Sequence, residues 1–277
     1  MKYIIWSLVI IILVTLIATT AGKFLFAKMM RSEVQKELFK NAGNYQSQIV
    51  TETDLQGLPS PVQKWLTNAG VIGKQKAQTS RVIQKGILRT DPSKPWSPFE
   101  AEQYFNFEEP GFIWFAKINV SPIIHIAGRD KYYDGHGNMQ IKLMSTFTLG
   151  DAKGKEIDQG SMVRYLAELI WSPAAVLNDY IKWEAVDDRS ARASMSYKRV
   201  TASGTFEFDE DGYPTGFSAP RFRDIGGKYS LEQWEISLSE YSTFDGIVVP
   251  REASVTWKLS EGDFTWYQLE LVELSFN

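Results

Sequence analysis

The chain has 277 residues, a formal net charge of −3 with acids and bases interspersed, and no cysteine. A chain this long can bury a core without covalent staples. The missing cysteines exclude disulfide frameworks, thiolate nucleophiles, Cys-ligated zinc and iron–sulfur clusters, and without a basic stripe nucleic acid is not an expected partner. Nine Trp, twelve Tyr and sixteen Phe suit two-sided sheets and the walls of ligand cavities equally well.

From Tyr3 to Gly22 the chain carries no charge, and about 20 such residues match the core of a bilayer. Lys2 is the only early base, and Thr19-Thr20-Ala21 fits a signal-peptidase site poorly, so an uncleaved single-pass anchor is expected. Phe24, Met30, Val34 and Leu38 then recur among Lys and Glu at helical spacing, extending anchor and stalk over residues 1–40. Lys23, Lys28 and Arg31 follow the span, a count that by itself favours a cytoplasmic domain. A large cysteine-free β domain behind a first span favours export, and the expected location is the cell membrane with the globular part outside the cytoplasm. A polar linker is expected over 41–57, then one β domain over 58–277. Its entry helix is marked by Ser60, Pro61 and a closing Gly70.

Beyond it the pattern has period two. Phe99, Ala101, Gln103, Phe105 and Phe107 alternate with polar neighbours, as do Ala191, Ala193, Met195 and Tyr197, and Ala253, Val255, Trp257 and Leu259. Asp134-Gly135, Asp187-Asp188, Asp211-Gly212, Asp245-Gly246 and Glu261-Gly262 punctuate these runs, and such short connections imply antiparallel neighbours. "GFIWFAKINV" is apolar on both faces, so that strand is expected to be covered on both sides. Among the strands lies "SMVRYLAELIWSPAAVL", in which Met162, Tyr165, Leu166, Leu169 and Ile170 form a helical stripe. Asp158 is its expected N-cap, and Ser172-Pro173 starts a second short helix, giving inserted helices over 158–179. The expected fold is mainly β: one large, curved, half-barrel-like antiparallel sheet with a helical hairpin on its concave face, plus the N-terminal transmembrane helix.

The ordered series "LPSPVQKWLTNAGVIGK", "WSPFEAEQYF", "GFIWFAKI", "RDKYYDGHGNM", "DQGSMVRYLAELIWSPAAVL", "WEAVDDRSARASM" and "FDEDGYPTGFSAPRFRDIGGKY" resembles a family of uncharacterised bacterial proteins known only as a domain of unknown function. The resemblance covers about residues 57 to 276. It implies a bacterial, membrane-associated protein and carries no catalytic residues. In architecture alone the element order also resembles the periplasmic lipoprotein-carrier fold, a half-barrel closed by a helical lid over an apolar cavity.

The chemistry-bearing motifs are few. His125 sits in the apolar run "PIIHIAG" and reads as a core histidine, while His136 in "DGHGNM" reads as a solvated turn residue. Serine-hydrolase elbow, P-loop and dinucleotide fingerprints are all missing from the sequence. "DEDG" at 209–212 reads as a hairpin tip rather than a calcium loop. Glu100 and Glu102 share one strand face about 7 Å apart at roughly 3.3 Å per residue, a separation a glycosidase pair could use, yet surface carboxylates explain them as well. No catalytic residue, metal ligand or cofactor is assigned, and the balance is against an enzyme. Arg164, Glu168 and Trp171 lie at i, i+4 and i+7 opposite the main apolar stripe; a structural ion pair is the favoured reading, and anion recognition by Arg221 and Arg223 is the minority one. If the helix roofs a pocket, its walls are Phe105, Trp114, Tyr165, Leu169, Trp171 and Trp257, with Arg164, Glu168, Arg221 and Arg223 as its polar groups. Two functions fit: a membrane-tethered binding or carrier domain for a lipid or lipidated protein, or an envelope interaction module with a filled core.

Overall fold

In the computed structural model, which describes residues 2–46 and 48–277 without the side chains at positions 8, 11, 12 and 16, thirteen strands form one antiparallel sheet. Its first half is β1 (Thr79–Leu88), β2 (Ser97–Asn106), β3 (Gly111–Asn119), β4 (His125–Tyr133), β5 (His136–Leu143) and β6 (Phe147–Lys153). The second half is β7 (Ile181–Asp187), β8 (Ser190–Tyr197), β9 (Val200–Phe208), β10 (Pro214–Ile225), β11 (Lys228–Phe244), β12 (Ile247–Leu259) and β13 (Gly262–Phe276). Each half is a meander of hairpins, and pairing of β1 with β13 joins the two into one sheet whose edges are β6 and β7. Asp134-Gly135 and Asp245-Gly246 both take positive φ at the two turn positions, the type I′ geometry whose twist matches the strands it connects.

The connection between the two edges is the helical insert. It consists of α3 (Lys155–Glu168) followed by 3₁₀ turns at Leu169–Trp171 and Pro173–Leu177. The second short helix expected from sequence is thus a 3₁₀ segment: Ser172 leaves helical geometry, with φ −138° and ψ 66°, and Pro173 has no N–H to continue the ladder. α3 also starts earlier than its sequence cap suggests, with Gly154 before its first residue. Asp158, inside the first turn, accepts a 2.7 Å hydrogen bond from the Gly137 amide and ties α3 to β5. A side chain at Gly137 would strike the Ile157 carbonyl and Ser161 hydroxyl at 2.6 Å, so this close approach requires glycine.

α3 rests against β5 on one half and β9 and β10 on the other. One helix can touch both halves only if the sheet curls around it, and the Lys198–Asp134 ion pair at 2.9 Å closes the same gap at the hairpin tips. Irregular register in the β1–β13, β12–β13 and β9–β10 ladders supplies the bend. α2 (Ser60–Ala69), with Pro at its start and Gly70 at φ 73° after its end, fills the rest of the concave side. Its Trp65 stacks on Phe206 at 5.8 Å and meets Trp183 edge-on at 6.5 Å.

α1 (Lys2–Glu33) continues into a π-helical turn at Val34–Leu38. Among the described residues, Leu13–Leu38 is the one helical stretch long and apolar enough to cross a membrane by length and composition. The C-terminal part of α1 is docked on the convex face, where Val34 and Leu38 pack with Ile113 and Phe115 of β3 in a small second core. β3 is thus buried on both faces, with Phe112, Trp114 and Ala116 in the main core. Val50 and Leu55, between α1 and α2, are buried in that main core too.

Candidate functional site

The inward face carries a polar network beneath α3. Arg164 keeps only 13% of its side chain exposed. Its Nη1 lies 2.8 Å from Asp130 Oδ2 on β4, and its Nε lies 2.9 Å from Glu168 Oε1 one helical turn on. Gln103 Nε2 on β2 donates to the other Glu168 oxygen at 2.7 Å, and Trp114 Nε1 on β3 donates to Gln84 Oε1 on β1 at 3.2 Å. The guanidinium also stands 5.0 Å from the ring centres of both Phe112 and Trp114.

Electrostatics follow from this geometry. Burial opposes charge on Arg164, but Glu168 and Asp130 beside it more than offset that and hold the arginine charged. Burial raises the Glu168 carboxyl, against the pull of Arg164 and Gln103. Arg221 on β10 donates from Nε to the Gly160 carbonyl at 2.9 Å and stands 4.7 Å over the Trp234 ring. Without a carboxylate in hydrogen-bond contact, its burial pushes its pKa down to about 10. Arg164 and Arg221 balance Asp130 and Glu168, which is how a protein keeps charge in a nearly dry interior.

The residues expected to line a pocket are all buried. Phe105 and Tyr165 meet at 6.2 Å, and the Tyr165 hydroxyl donates to the Asn106 carbonyl at 3.1 Å. Leu169 is completely buried in the main core. Trp171 lies apart from the ion cluster, donating to the Pro250 carbonyl at 3.1 Å. Trp257 stands 5.9 Å from the Arg221 guanidinium, and Arg223 stands 5.8 Å from Phe264. The fold therefore gathers Trp114, Arg164 and Glu168 and sets Arg221 and Trp257 beside them, with the ground between filled by side chains. Asp130 and Gln84 were not singled out from sequence. The available signal was Gln103, a polar residue at an inward position of an otherwise apolar alternation.

Open space lies outside this ion cluster. A groove of about 510 Å³ runs between α1 and the convex face of β1–β4, lined by Phe26, Ala27, Met30, Ile83 and Phe115, with Lys23, Lys117, His125, Glu100 and Glu102 among its walls. His125 Nε2 is 3.0 Å from the Ser145 hydroxyl, and burial, then Lys23 and Lys117, lower its pKa and keep the ring neutral. The groove holds its shape because α1 is pinned at the far end: Glu33 faces Arg129 at 3.4 Å and Lys131 at 3.2 Å, and Glu37 reaches Lys131 at 2.8 Å. A smaller cavity of about 320 Å³ borders Ser172–Ala175 and Phe107. His136 is solvent-exposed, 3.5 Å from Asp158, and residues 209–212 form the β9–β10 hairpin tip, where Asp209 accepts from the Tyr213 amide at 2.8 Å.

The profile of DUF6544, described as a family of unknown function, matches residues 48–269. The chain belongs to DUF6544. The match leaves α1 outside and takes in the concave ion cluster entire. No curated protein matches the chain. Among solved structures, a DUF1329 family protein from Desulfovibrio piger is similar at 12% identity and a TM-score of 0.43, over 73% of this chain and 86% of that one. A LolA superfamily protein from Nitrosomonas europaea is similar at 9% identity and a TM-score of 0.39, over 82% and 94%.

Proposed function

We propose that this protein is a membrane-tethered binding domain for an apolar ligand, a lipid or a lipidated protein, and that the ligand lies in the groove between α1 and the convex face of the sheet. The observation that carries this reading is the groove itself. Its volume of about 510 Å³ is within the roughly 300–1,000 Å³ common to ligand sites. Its apolar walls include Phe26, Met30, Ile83 and Phe115, and Lys23 and Lys117 stand with Glu100 and Glu102 at its polar edge, an arrangement suited to an acyl chain below and a zwitterionic headgroup above. The same helix that would cross the bilayer forms one wall, so a lipid need not pass through water to enter. In this reading α1 is an uncleaved anchor and the domain stands outside the cytoplasm.

The test is photo-crosslinking of the full chain, reconstituted in lipid nanodiscs, with a phospholipid bearing a diazirine in its acyl chain. Crosslinks should concentrate in residues 23–30 and 115–127 and fall away in Ala27→Trp, which fills the groove. Equal labelling of the variant, or labelling confined to the apolar start of α1, would sink the proposal. Because the chain has no cysteine, a single Glu210→Cys probed with a membrane-impermeant maleimide in intact cells tests the side of the membrane.

A second reading has its own support. The residues expected to wall a pocket on the concave face, Phe105, Trp114, Tyr165, Leu169, Trp171 and Trp257, are core residues. An envelope interaction module needs no more than this, and it predicts no lipid crosslink in the groove above that of the bare anchor.

A further inference from the structure

We infer that one end of the sheet is itself a membrane-insertion surface: the β3–β4 loop and the start of β6 enter the lipid leaflet beside α1, so the domain lies against the bilayer at a set height. The inference rests on the reading of α1 as a membrane span.

The first observation is an exposed apolar rim. Ile123 is 81% exposed, Leu149 61%, Phe147 60%, Val120 55% and Ile124 42%. They belong to two neighbouring segments, joined where the Met144 amide donates to the His125 carbonyl at 2.9 Å. Five large apolar side chains at one end of one sheet mark a surface that meets something other than water.

The second observation sets the depth and names the occupant. The turn between β5 and β6 is the point where the sheet touches the apolar part of α1. The single Thr146 hydroxyl proton is shared between the Met144 carbonyl at 3.1 Å and the Ala18 carbonyl at 3.4 Å, and Gly22 passes so close that any side chain there would collide with Thr146. If the charge-free run ends at Gly22, Ala18 lies one turn inside the hydrocarbon, about 6 Å at 1.5 Å per residue. Apolar faces of interfacial elements are buried to about 5–10 Å. The rim beside Thr146 therefore stands at the acyl boundary, next to the end of the groove lined by Lys23, His125 and Ser145.

The third observation is backbone conformation. Met144 and Ser145, immediately before Thr146, have φ values of 51° and 59°. Left-handed backbone at consecutive positions is the geometry of a tight hairpin turn, and this β5–β6 turn leaves Thr146 against the helix.

The cysteine-free chain allows a direct test. Single variants Ile123→Cys, Leu149→Cys, Val9→Cys and Glu210→Cys, each in the full chain, are labelled with an environment-sensitive fluorophore and placed in nanodiscs with and without lipids carrying a nitroxide on the acyl chain. Val9, in the apolar start of α1, should be quenched, and Glu210, at the opposite strand ends, should not. Ile123 and Leu149 should show blue-shifted emission and lose most of their intensity to the quencher. A quenched Val9 with both rim positions unquenched would overturn the rim and leave the anchor standing. An unquenched Val9 would overturn the anchor, and the rim with it. Two rim positions, both exposed, guard against one variant that folds badly.

Discussion

The two faces of the sheet are built on opposite principles. The concave face is closed: α2 and α3 lie on it, aromatic rings fill the space, and the charges present are matched among Arg164, Arg221, Asp130 and Glu168. The convex face is covered over β3 by a single helix, whose C-terminal part is pinned by a small core and a few ion pairs while a groove stays open beside it. A filled face with a balanced interior cluster contributes stability and uniqueness. A half-covered face beside an apolar helix leaves room for a ligand. In this protein the helical insert therefore covers a core of packed rings and paired charges, and the larger groove lies on the outer face.

The largest expected effect breaks the closed face. Arg164→Met strands Asp130 and Glu168 in the interior and should cost about 3–5 kcal/mol, read as a lower midpoint in urea unfolding. Adding Glu168→Gln to that variant should recover part of the loss, because the two side chains are coupled; purely additive effects would mean the pair does not interact. On the convex face, Leu38→Ala removes a completely buried side chain from the small core and should cost about 2–5 kcal/mol. Its signature should be local, with faster amide exchange in β3 and α1 before the rest of the sheet.

A smaller effect is set by pH. His125 has a lowered pKa in the folded protein, from burial and the nearby Lys23 and Lys117, so the unfolded chain binds its proton more tightly. Its stabilising contribution is present above the ordinary histidine value of about 6.5 and is lost as pH falls through the folded value, at no more than about 1.4 kcal/mol per pH unit. His125→Asn should flatten this dependence between pH 7 and 5; an unchanged profile would assign it to other groups. The smallest effect is expected at the rim of the convex face. Arg81, 2.6 Å from Glu102 and partly exposed, should lose less than about 1 kcal/mol on change to Ala.

Much of the architecture was legible residue by residue. Period-two runs located strands, Asp-Gly pairs located turns, and the two-sided pattern of "GFIWFAKINV" announced that β3 would be covered twice. The stripe in 161–171 marked a helix that must lie on the sheet, and the shortage of other polar residues on its far side hinted that Arg164 and Glu168 would meet protein. The sequence did not reveal what covers the outer side of β3, since the apolar spacing of Val34 and Leu38 fits a free stalk or a docked one. Nor did it reveal Asp130 as the second partner of Arg164, because a carboxylate in "GRDKYYDG" looks the same whether it faces in or out.

Local pattern thus determined element type, facing direction and turn position, because side-chain periodicity and backbone sterics act within a few residues. Tertiary structure alone decided the pairing of β1 with β13, the passage of α3 from one sheet edge to the other, the docking of α1 through Thr146 and Leu38, and the burial of Arg164 and Glu168 on the concave face. Each of these depends on how far the sheet curls, which is a sum of many small twists and bulges over thirteen strands, and no short stretch of sequence reports that sum.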